Sequence, residues 1–274
     1  MLNIPLADAT FRDLRDYIYE KSGIFISDNK KYLIENRLSR ILQEKDLKCF
    51  EDYLKIIKCC TNGNDLNRLF DAVTTNETYF YREPQQLEVF VGDIAKKLFE
   101  QKKGAKTIKI WSAACSTGEE PYTLSIMLAE KGFSPSQFEI YGSDLSEGVL
   151  SSAQKAVYNS YSIRNIPETC LKKYFAPEGQ NYTLSPVIRK SVKFQKINLI
   201  DDKNVRSLRN MDVIFCRNVL IYFDVKSKQK VVSHLYDCLN PGGYLIIGSS
   251  ESLHSITRAF RPNVLNKVIT YQKV

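Results

Sequence analysis

Along the first 75 residues apolar side chains recur every three or four positions, the period of helices that each bury one stripe. Phe11, Leu14, Tyr17 and Ile18 mark a helix over 7–21, with Asp8 or Thr10 as candidate N-caps and Ser22-Gly23 as its stop. Ser27-Asp28 can cap a second helix running through Glu44, on which Tyr32, Leu33, Asn36, Arg37, Arg40 and Ile41 keep the same spacing. Phe50 to Cys59 and Asp65 to Val73 predict two shorter helices on either side of an Asn62-Gly63-Asn64 turn. The pattern predicts a small all-α domain over residues 1–75.

Beyond it the period changes. Pro84 to Lys103 reads as a connecting helix, and short β-type runs then alternate with helical ones. Strands are expected at 107–113, 138–143, 192–197, 211–216 and 243–249, with helices at 120–131, 146–156 and 226–239 between them. That alternation implies a parallel sheet with helices on its faces, an α/β Rossmann-like domain. Asn240-Pro241-Gly242-Gly243 ends the last helix, and Val264 to Gln272 alternates as a closing antiparallel strand near the sheet edge. The rhythm fails between Tyr158 and Lys190, where Pro and Gly punctuate short β-like runs at 181–184 and 187–194. An inserted small antiparallel β-subdomain over 158–192 is expected there. The division is therefore 1–75, a 76–90 linker that contributes to the site, and 91–274 with its insertion.

The most informative stretch is Thr107 to Glu120, an alternating apolar run ending at Trp111 that breaks into small residues, Gly118, and a helix opening with Glu119, Glu120 and Pro121. A buried strand turning sharply into a helix is where open α/β sheets bind nucleoside cofactors. Two carboxylates at that turn repel a phosphate and favour a cation, which argues against NAD and for S-adenosylmethionine, with its sulfonium and ammonium. Asp144, 26 residues past Gly118, ends the second strand and can accept both ribose hydroxyls; the alternative is a helix N-cap, for which Ser146 also serves. Asn198-Leu199 and Arg217-Asn218 follow later strands on the same sheet edge. An amide at 198 can bond an adenine edge, whereas Asn218 reads equally as a cap or turn residue.

Composition narrows the classes. No apolar run is long enough for a membrane span, and 1–12 lacks the layout of a signal peptide, so a cytoplasmic protein is expected. Seven cysteines without a C-x-x-C pair and only His234 and His254 predict reduced thiols and no metal site. Residues 1–75 carry twelve basic and twelve acidic side chains, so the net +8 lies in the rest. Lys155, Arg164, Lys172, Lys173, Arg189, Lys190, Lys193 and Lys196 face only Glu168 and Glu178 within 155–196. Such a patch can attract nucleic acid, a membrane surface or an acidic protein, or can be a solvated face.

Four segments together resemble the chemotaxis protein methyltransferase (CheR) family: Thr74-Thr75-Asn76-Glu77-Thr78-Tyr79-Phe80-Tyr81-Arg82-Glu83, Trp111 to Tyr122, Cys216-Arg217-Asn218-Val219-Leu220-Ile221-Tyr222-Phe223, and Leu239-Asn240-Pro241-Gly242-Gly243. The likeness runs over nearly the whole chain. It implies an all-α N-terminal domain followed by a class I S-adenosylmethionine-dependent methyltransferase domain. It further implies methyl transfer to glutamate carboxylates on the cytoplasmic helices of chemoreceptors, giving glutamate methyl esters and S-adenosylhomocysteine. Cofactor contacts are implied from Asn76, Thr78, Arg82, Glu119, Asp144, Asn198, Leu199, Arg217 and Asn218, with Arg82 and Tyr222 beside the reacting methyl. The family's basic N-terminal helix points to Arg37 and Arg40 for substrate docking.

A glutamate side chain, with an ordinary pKa of about 4.3, is already ionised at neutral pH, so the implied reaction needs positioning and no general base. The hairpin turn near Gln180 to Arg189 is short and lacks the Gly-containing extension of relatives that capture a receptor tail peptide, which predicts weak or no tail dependence. A monomer is expected. Two rival readings are a methyltransferase acting on nucleic acid or another protein, and a non-catalytic receptor-binding adaptor. No Asn-Pro-Pro-Tyr-type loop stands where Arg217-Asn218-Val219 does, and no aromatic stacking platform is evident in the basic insertion, so no nucleic-acid partner is expected.

Overall fold

The computed structural model describes residues 4–59, 63–102 and 107–274, in which residues through Thr75 together with Tyr222–Ser227 form one compact unit. Asn76–Ile221 and Lys228–Val274 form the other.

The first unit is built from α1 (Asp8–Ser22), α2 (Lys31–Glu44), α3 (Phe50–Cys59) and α4 (Asn64–Val73). Their stripes meet in one core containing Leu14, Ile18, Leu38, Leu42, Phe50, Tyr53 and Leu69, all fully buried. Burial of such side chains contributes about 1.5–3 kcal/mol each. Neither expected N-cap is used: Ala7 occupies that position of α1, and Lys31 Nζ takes the Asp8 carboxylate at 2.5 Å. A one-turn 3-10 helix over Asp28–Lys30 precedes α2, so the predicted second helix begins three residues late. Gly23 ends α1 in the left-handed region and returns its N–H to Tyr19 O. Ile24 then bridges antiparallel to Phe223, and the Phe25 N–H donates to Tyr222 O at 2.9 Å. Of the expected turn Asn62-Gly63-Asn64, Asn62 lies outside the described residues, as does Cys60. The other six cysteines are free thiols.

The second unit opens with α5 (Pro84–Val89) and α6 (Ala95–Gln101), joined through a π-helical turn at Phe90–Ile94. The predicted single helix is thus interrupted; its last residue, Lys103, lies outside the described residues. Phe90, Val91 and Ile94 are buried in that wider turn.

Among the described residues ten strands follow: β1 (Ile108–Ala113), β2 (Phe138–Asp144), β3 (Val157–Asn159), β4 (Phe175–Glu178), β5 (Asn181–Leu184), β6 (Val192–Lys196), β7 (Met211–Cys216), β8 (Leu239–Ile247), β9 (Phe260–Leu265) and β10 (Val268–Lys273). Seven make one sheet in the order β6-β2-β1-β7-β8-β10-β9. The first five are parallel, and the hairpin β9–β10 closes one edge antiparallel. The expected single closing strand is therefore a hairpin, because Asn266 and Lys267 both take positive φ and turn the chain in two residues. Asp212, buried at the start of β7, accepts from Lys102 Nζ, the Lys109 N–H and Asn240 Nδ2, which ties three segments to that end of the sheet.

Helices α7 (Glu119–Glu130) and α8 (Glu147–Lys155) follow β1 and β2, and α13 (Val225–Cys238) precedes β8. The insertion is a second sheet in the order β3-β5-β4, carrying α9 (Ser160–Ile163) and α10 (Glu168–Tyr174) between its strands. The expected β-like run at 187–194 is instead α11 (Pro186–Arg189) followed by β6. Pro186 sits at the first helical position, where its fixed φ and missing N–H favour a start. A last short helix, α12 (Asp202–Val205), precedes β7.

β1 is the switch point: the chain leaves it toward β2 on one side and returns to β7 on the other. Registers Ala113↔Ser143 and Ser112↔Phe215 bring the carboxyl ends of these strands level, so the loops after β1, β2 and β7 open on a single edge. Ligands of open α/β sheets bind in that crevice.

Candidate functional site

The loop after β1 is tightly wound. Ala114, Ser116 and Gly118 all have positive φ, at 58°, 51° and 91°. Such conformations cost about 1–3 kcal/mol in non-Gly residues and persist where neighbours hold them. Here the Cys115 N–H donates to Ser143 O and the Ser116 N–H to Asp144 Oδ2 at 2.9 Å. Ser116 Oγ donates to Asn76 O, and Tyr158 Oη to Thr117 O. A Cβ on Gly118 would lie 2.9 Å from Ala153 Cβ, and one on Gly142 2.6 Å from the Phe194 ring, so both positions require glycine.

Asp144 ends β2 with its carboxylate spanning two loops, accepting from Ser116 N–H and from Ser146 N–H. The helix cap is Ser146, whose Oγ accepts from Val149 N–H. Of the two readings left open for Asp144, the cap role is thereby filled by its neighbour.

The paired acids at the start of α7 divide. Glu120 is neutralised: Arg217 Nη1 donates to its Oε2 at 2.8 Å and Ser112 Oγ to its Oε1 at 2.7 Å. Glu119 has no ion pair among the described residues. It is 2% exposed, and hydroxyls of Thr117 and Ser162 donate to its two oxygens. Burial pushes its carboxyl pKa up, and these hydroxyls offset only part of that. A buried carboxylate without a cation is the feature a positively charged ligand would relieve.

Arg217, expected to contact the cofactor, has its side chain committed within the protein. Its side chain is 2% exposed and every guanidinium nitrogen is engaged within the protein. Nε donates to Gln86 Oε1 at 2.5 Å, Nη1 to Glu120, and Nη2 to Arg82 O at 2.5 Å and Glu83 Oε2 at 3.3 Å. It locks the 82–86 segment to the sheet. Asn218 sits in the left-handed region, with Nδ2 on Glu83 Oε1 and its N–H on Glu251 Oε2. Burial pushes the Glu83 carboxyl up, but hydrogen bonds from Asn218 and Ser249 and the charge of Arg217 outweigh it and hold it below the ordinary value.

Arg82 is half-buried, and one arm donates to Glu77 O at 2.7 Å. Asn76 and Thr78 are half-buried on the same extended segment. Asn198 Oδ1 accepts from Ile200 N–H, and Leu199 is buried with its carbonyl against His234 Nδ1 at 2.9 Å. The structure thus gathers Asn76, Thr78, Arg82, Glu119, Asp144, Asn198, Leu199, Arg217 and Asn218 in one compact unit, while Tyr222 packs with the helical one. There Arg37 donates to Val73 O, Thr74 O and Thr75 Oγ1, closing the end of α4. Arg40 stays exposed and pairs with Glu44 at 2.8 Å. The two arginines therefore do different work despite their shared spacing.

Sequence reasoning missed Glu83, Gln86, Ser162 and Glu251. Glu251 accepts from the N–H groups of Gly248, Asn218 and Val219, pinning the loops after β7 and β8 together. Its place just past the last parallel strand was the available signal. Ser162 and Gln86 had none, because each meets its partner only across the folded chain. Among the described residues no group of side chains could hold a metal ion, and no helix is long and apolar enough to cross a membrane.

Comparison with known proteins matches residues 9–74 to the CheR methyltransferase all-alpha domain and 76–269 to the CheR methyltransferase SAM binding domain. Chemotaxis protein methyltransferase 2 of Vibrio cholerae serotype O1 is 38% identical over 276 residues, covering 100% of this chain and 96% of its own. The chemotaxis protein methyltransferases of Borreliella burgdorferi and Escherichia coli K12 are 36% and 30% identical, covering 92% and 94% of this chain and 91% and 89% of theirs.

Proposed function

The chain belongs to the CheR methyltransferase family, and from that premise we propose that it methylates glutamate carboxylates on the cytoplasmic helices of chemoreceptors, as the adaptation enzyme of a chemotaxis system. It is an S-adenosylmethionine-dependent methyltransferase. The observation that carries the reading is Glu119: a desolvated carboxylate, unpaired with any cation among the described residues, at the start of the helix that follows the switch-point strand.

In this reading Glu119 holds the cofactor's ammonium and Asp144 its ribose hydroxyls, with Asn198 and Leu199 framing the base. The bound cofactor supplies an electrophilic methyl on a sulfonium. Arg82 orients a carboxylate, of substrate or of cofactor, through charged hydrogen bonds, and Tyr222 holds the incoming oxygen. Asn76 and Thr78 complete the cofactor's surroundings. No residue need remove a proton, since the accepting carboxylate arrives ionised. Arg217 and Asn218 serve as the frame that fixes the Arg82 backbone. The receptor helices put the reaction in the cytoplasm, and exposed Arg40 on α2 faces their acids, whereas Arg37 serves α4. The β4–β5 turn is only Gly179-Gln180, which supports the expectation of weak or no tail-peptide capture.

The direct test is mass spectrometry of a host receptor's cytoplasmic fragment after incubation with enzyme and cofactor. Added methyl mass on glutamate supports the proposal; methylation confined to nucleic acid or to no substrate overturns it. Glu119 gives a second test. Its raised pKa means that its protonated form favours the free fold at acid pH, a contribution lost as pH rises through that value. A ligand ammonium favours the ionised form, so affinity for S-adenosylhomocysteine should weaken as pH falls from neutral into the carboxylate range. Glu119→Gln should weaken binding about tenfold to a hundredfold at neutral pH and flatten that profile. Calorimetry showing an unchanged profile in the variant would remove Glu119 from the site.

A further inference from the structure

Eight cations crowd residues 155–196, and the structure sorts them. Lys172, Lys173, Lys193 and Lys196 are paired with Glu168, Glu130, Glu139 and Glu147. Arg164, just after α9, has no acidic partner among the described residues and is exposed. It is nevertheless held in place. Its guanidinium carbon lies 3.6 Å from the centre of the Tyr79 ring and 3.7 Å from that of Tyr161, and because those rings stand at 77° to each other, at most one of them lies flat on the guanidinium while the other flanks it. One nitrogen donates to Tyr161 O at 2.5 Å. Tyr161 is itself fastened by its hydroxyl to Glu77 Oε1 at 3.2 Å.

This cluster is joined to the candidate site from two directions. Tyr79 belongs to the segment that carries Asn76, Thr78 and Arg82, and the Arg82 guanidinium lies 5.8 Å from the same Tyr79 ring. Ser162, two residues before Arg164, donates to Glu119 and accepts from the Phe80 N–H. A ring stacked on one face of a guanidinium leaves in-plane N–H groups for a ligand. A planar fork with fixed orientation matches a carboxylate through paired hydrogen bonds, and its preorganisation cuts the entropy lost on binding.

We propose that Arg164, held against the rings of Tyr79 and Tyr161, docks an acidic side chain of the protein substrate that neighbours the glutamate being methylated. The proposal rests on the function assigned above and names the residue by which that site selects acidic helices. It also gives a use to part of the basic patch that the cofactor leaves unexplained.

The test compares wild type, Arg164→Ala and Arg164→Lys on the purified cytoplasmic fragment of a host chemoreceptor. KM and kcat are measured for the fragment, with calorimetric affinity for fragment and for S-adenosylhomocysteine. Loss of one charged, paired hydrogen bond should raise KM and the fragment's Kd about tenfold in Arg164→Ala, while kcat and the S-adenosylhomocysteine Kd hold. Arg164→Lys keeps the charge without the fork and should fall between the two. The dependence of kcat/KM on salt should be shallower in Arg164→Ala. Unchanged KM in both variants overturns the proposal, as does a matching loss of S-adenosylhomocysteine affinity, which would make the Arg164 cluster a support for the cofactor site. Absence of methylation by the wild type would instead defeat the functional reading on which the proposal stands.

Discussion

Replacing Arg217 with alanine should cost about 3–5 kcal/mol of stability, since it strands two partly buried carboxylates without their cation. The side chain is 2% exposed, against 15% for Glu120 and 22% for Glu83. Gln86 Oε1 and the Arg82 carbonyl lose their donors as well. Whole domains are stable by only about 5–15 kcal/mol, so the change removes a large share. Urea unfolding followed by circular dichroism measures it directly. Arg217→Lys restores the charge but not a fork with four acceptors and should recover only part. Methylation should fall in Arg217→Ala even below its unfolding midpoint, because the backbone of Arg82 is one of the groups released. A midpoint within experimental error of wild type would show that the knot is incidental.

Arg82→Ala should lower kcat about a hundredfold or more, the scale at which loss of alignment acts on a reaction that proceeds by positioning. The side chain is suited to the work: one arm is tethered to Glu77 O, and no carboxylate pairs with it among the described residues. Two measurements separate its possible partners. If S-adenosylhomocysteine affinity survives while kcat collapses, Arg82 orients the substrate carboxylate. If both fall together, it holds the cofactor's own carboxylate. Near-normal turnover in the variant would remove Arg82 from the reaction.

These two arginines show how the residues were legible to different depths. Both stand in recognisable segments and both were read as ligand contacts. In the folded chain one is spent internally and the other is not. Spacing cannot distinguish them, because the acceptors of Arg217 come from residues 82–86 and 120, more than ninety positions away. The same holds for Glu119 and Glu120. Adjacent on the chain, they point into different surroundings at the start of α7. One is neutralised by Arg217, while the other is desolvated with only hydroxyls for company.

Local pattern carried the element order. Period-three-and-four stripes located α1 to α4, and the strand–helix alternation located the parallel strands within a residue or two, with β8 beginning four residues early. It failed where backbone geometry overrode composition. The π turn at 90–94, the two-residue turn at Asn266-Lys267 and the helix begun by Pro186 each replaced a longer or different element. The switch-point loop and its spaced acids could be seen in the residues because a strand-turn-helix with Gly118 at its bend is a short-range arrangement. Which charges remain available to a ligand could not, because availability depends on partners assembled by the fold. Arg164 is the sharpest instance: on the chain it is one cation in a basic stretch, and its distinction arises from the rings of Tyr79 and Tyr161, which the fold brings against it.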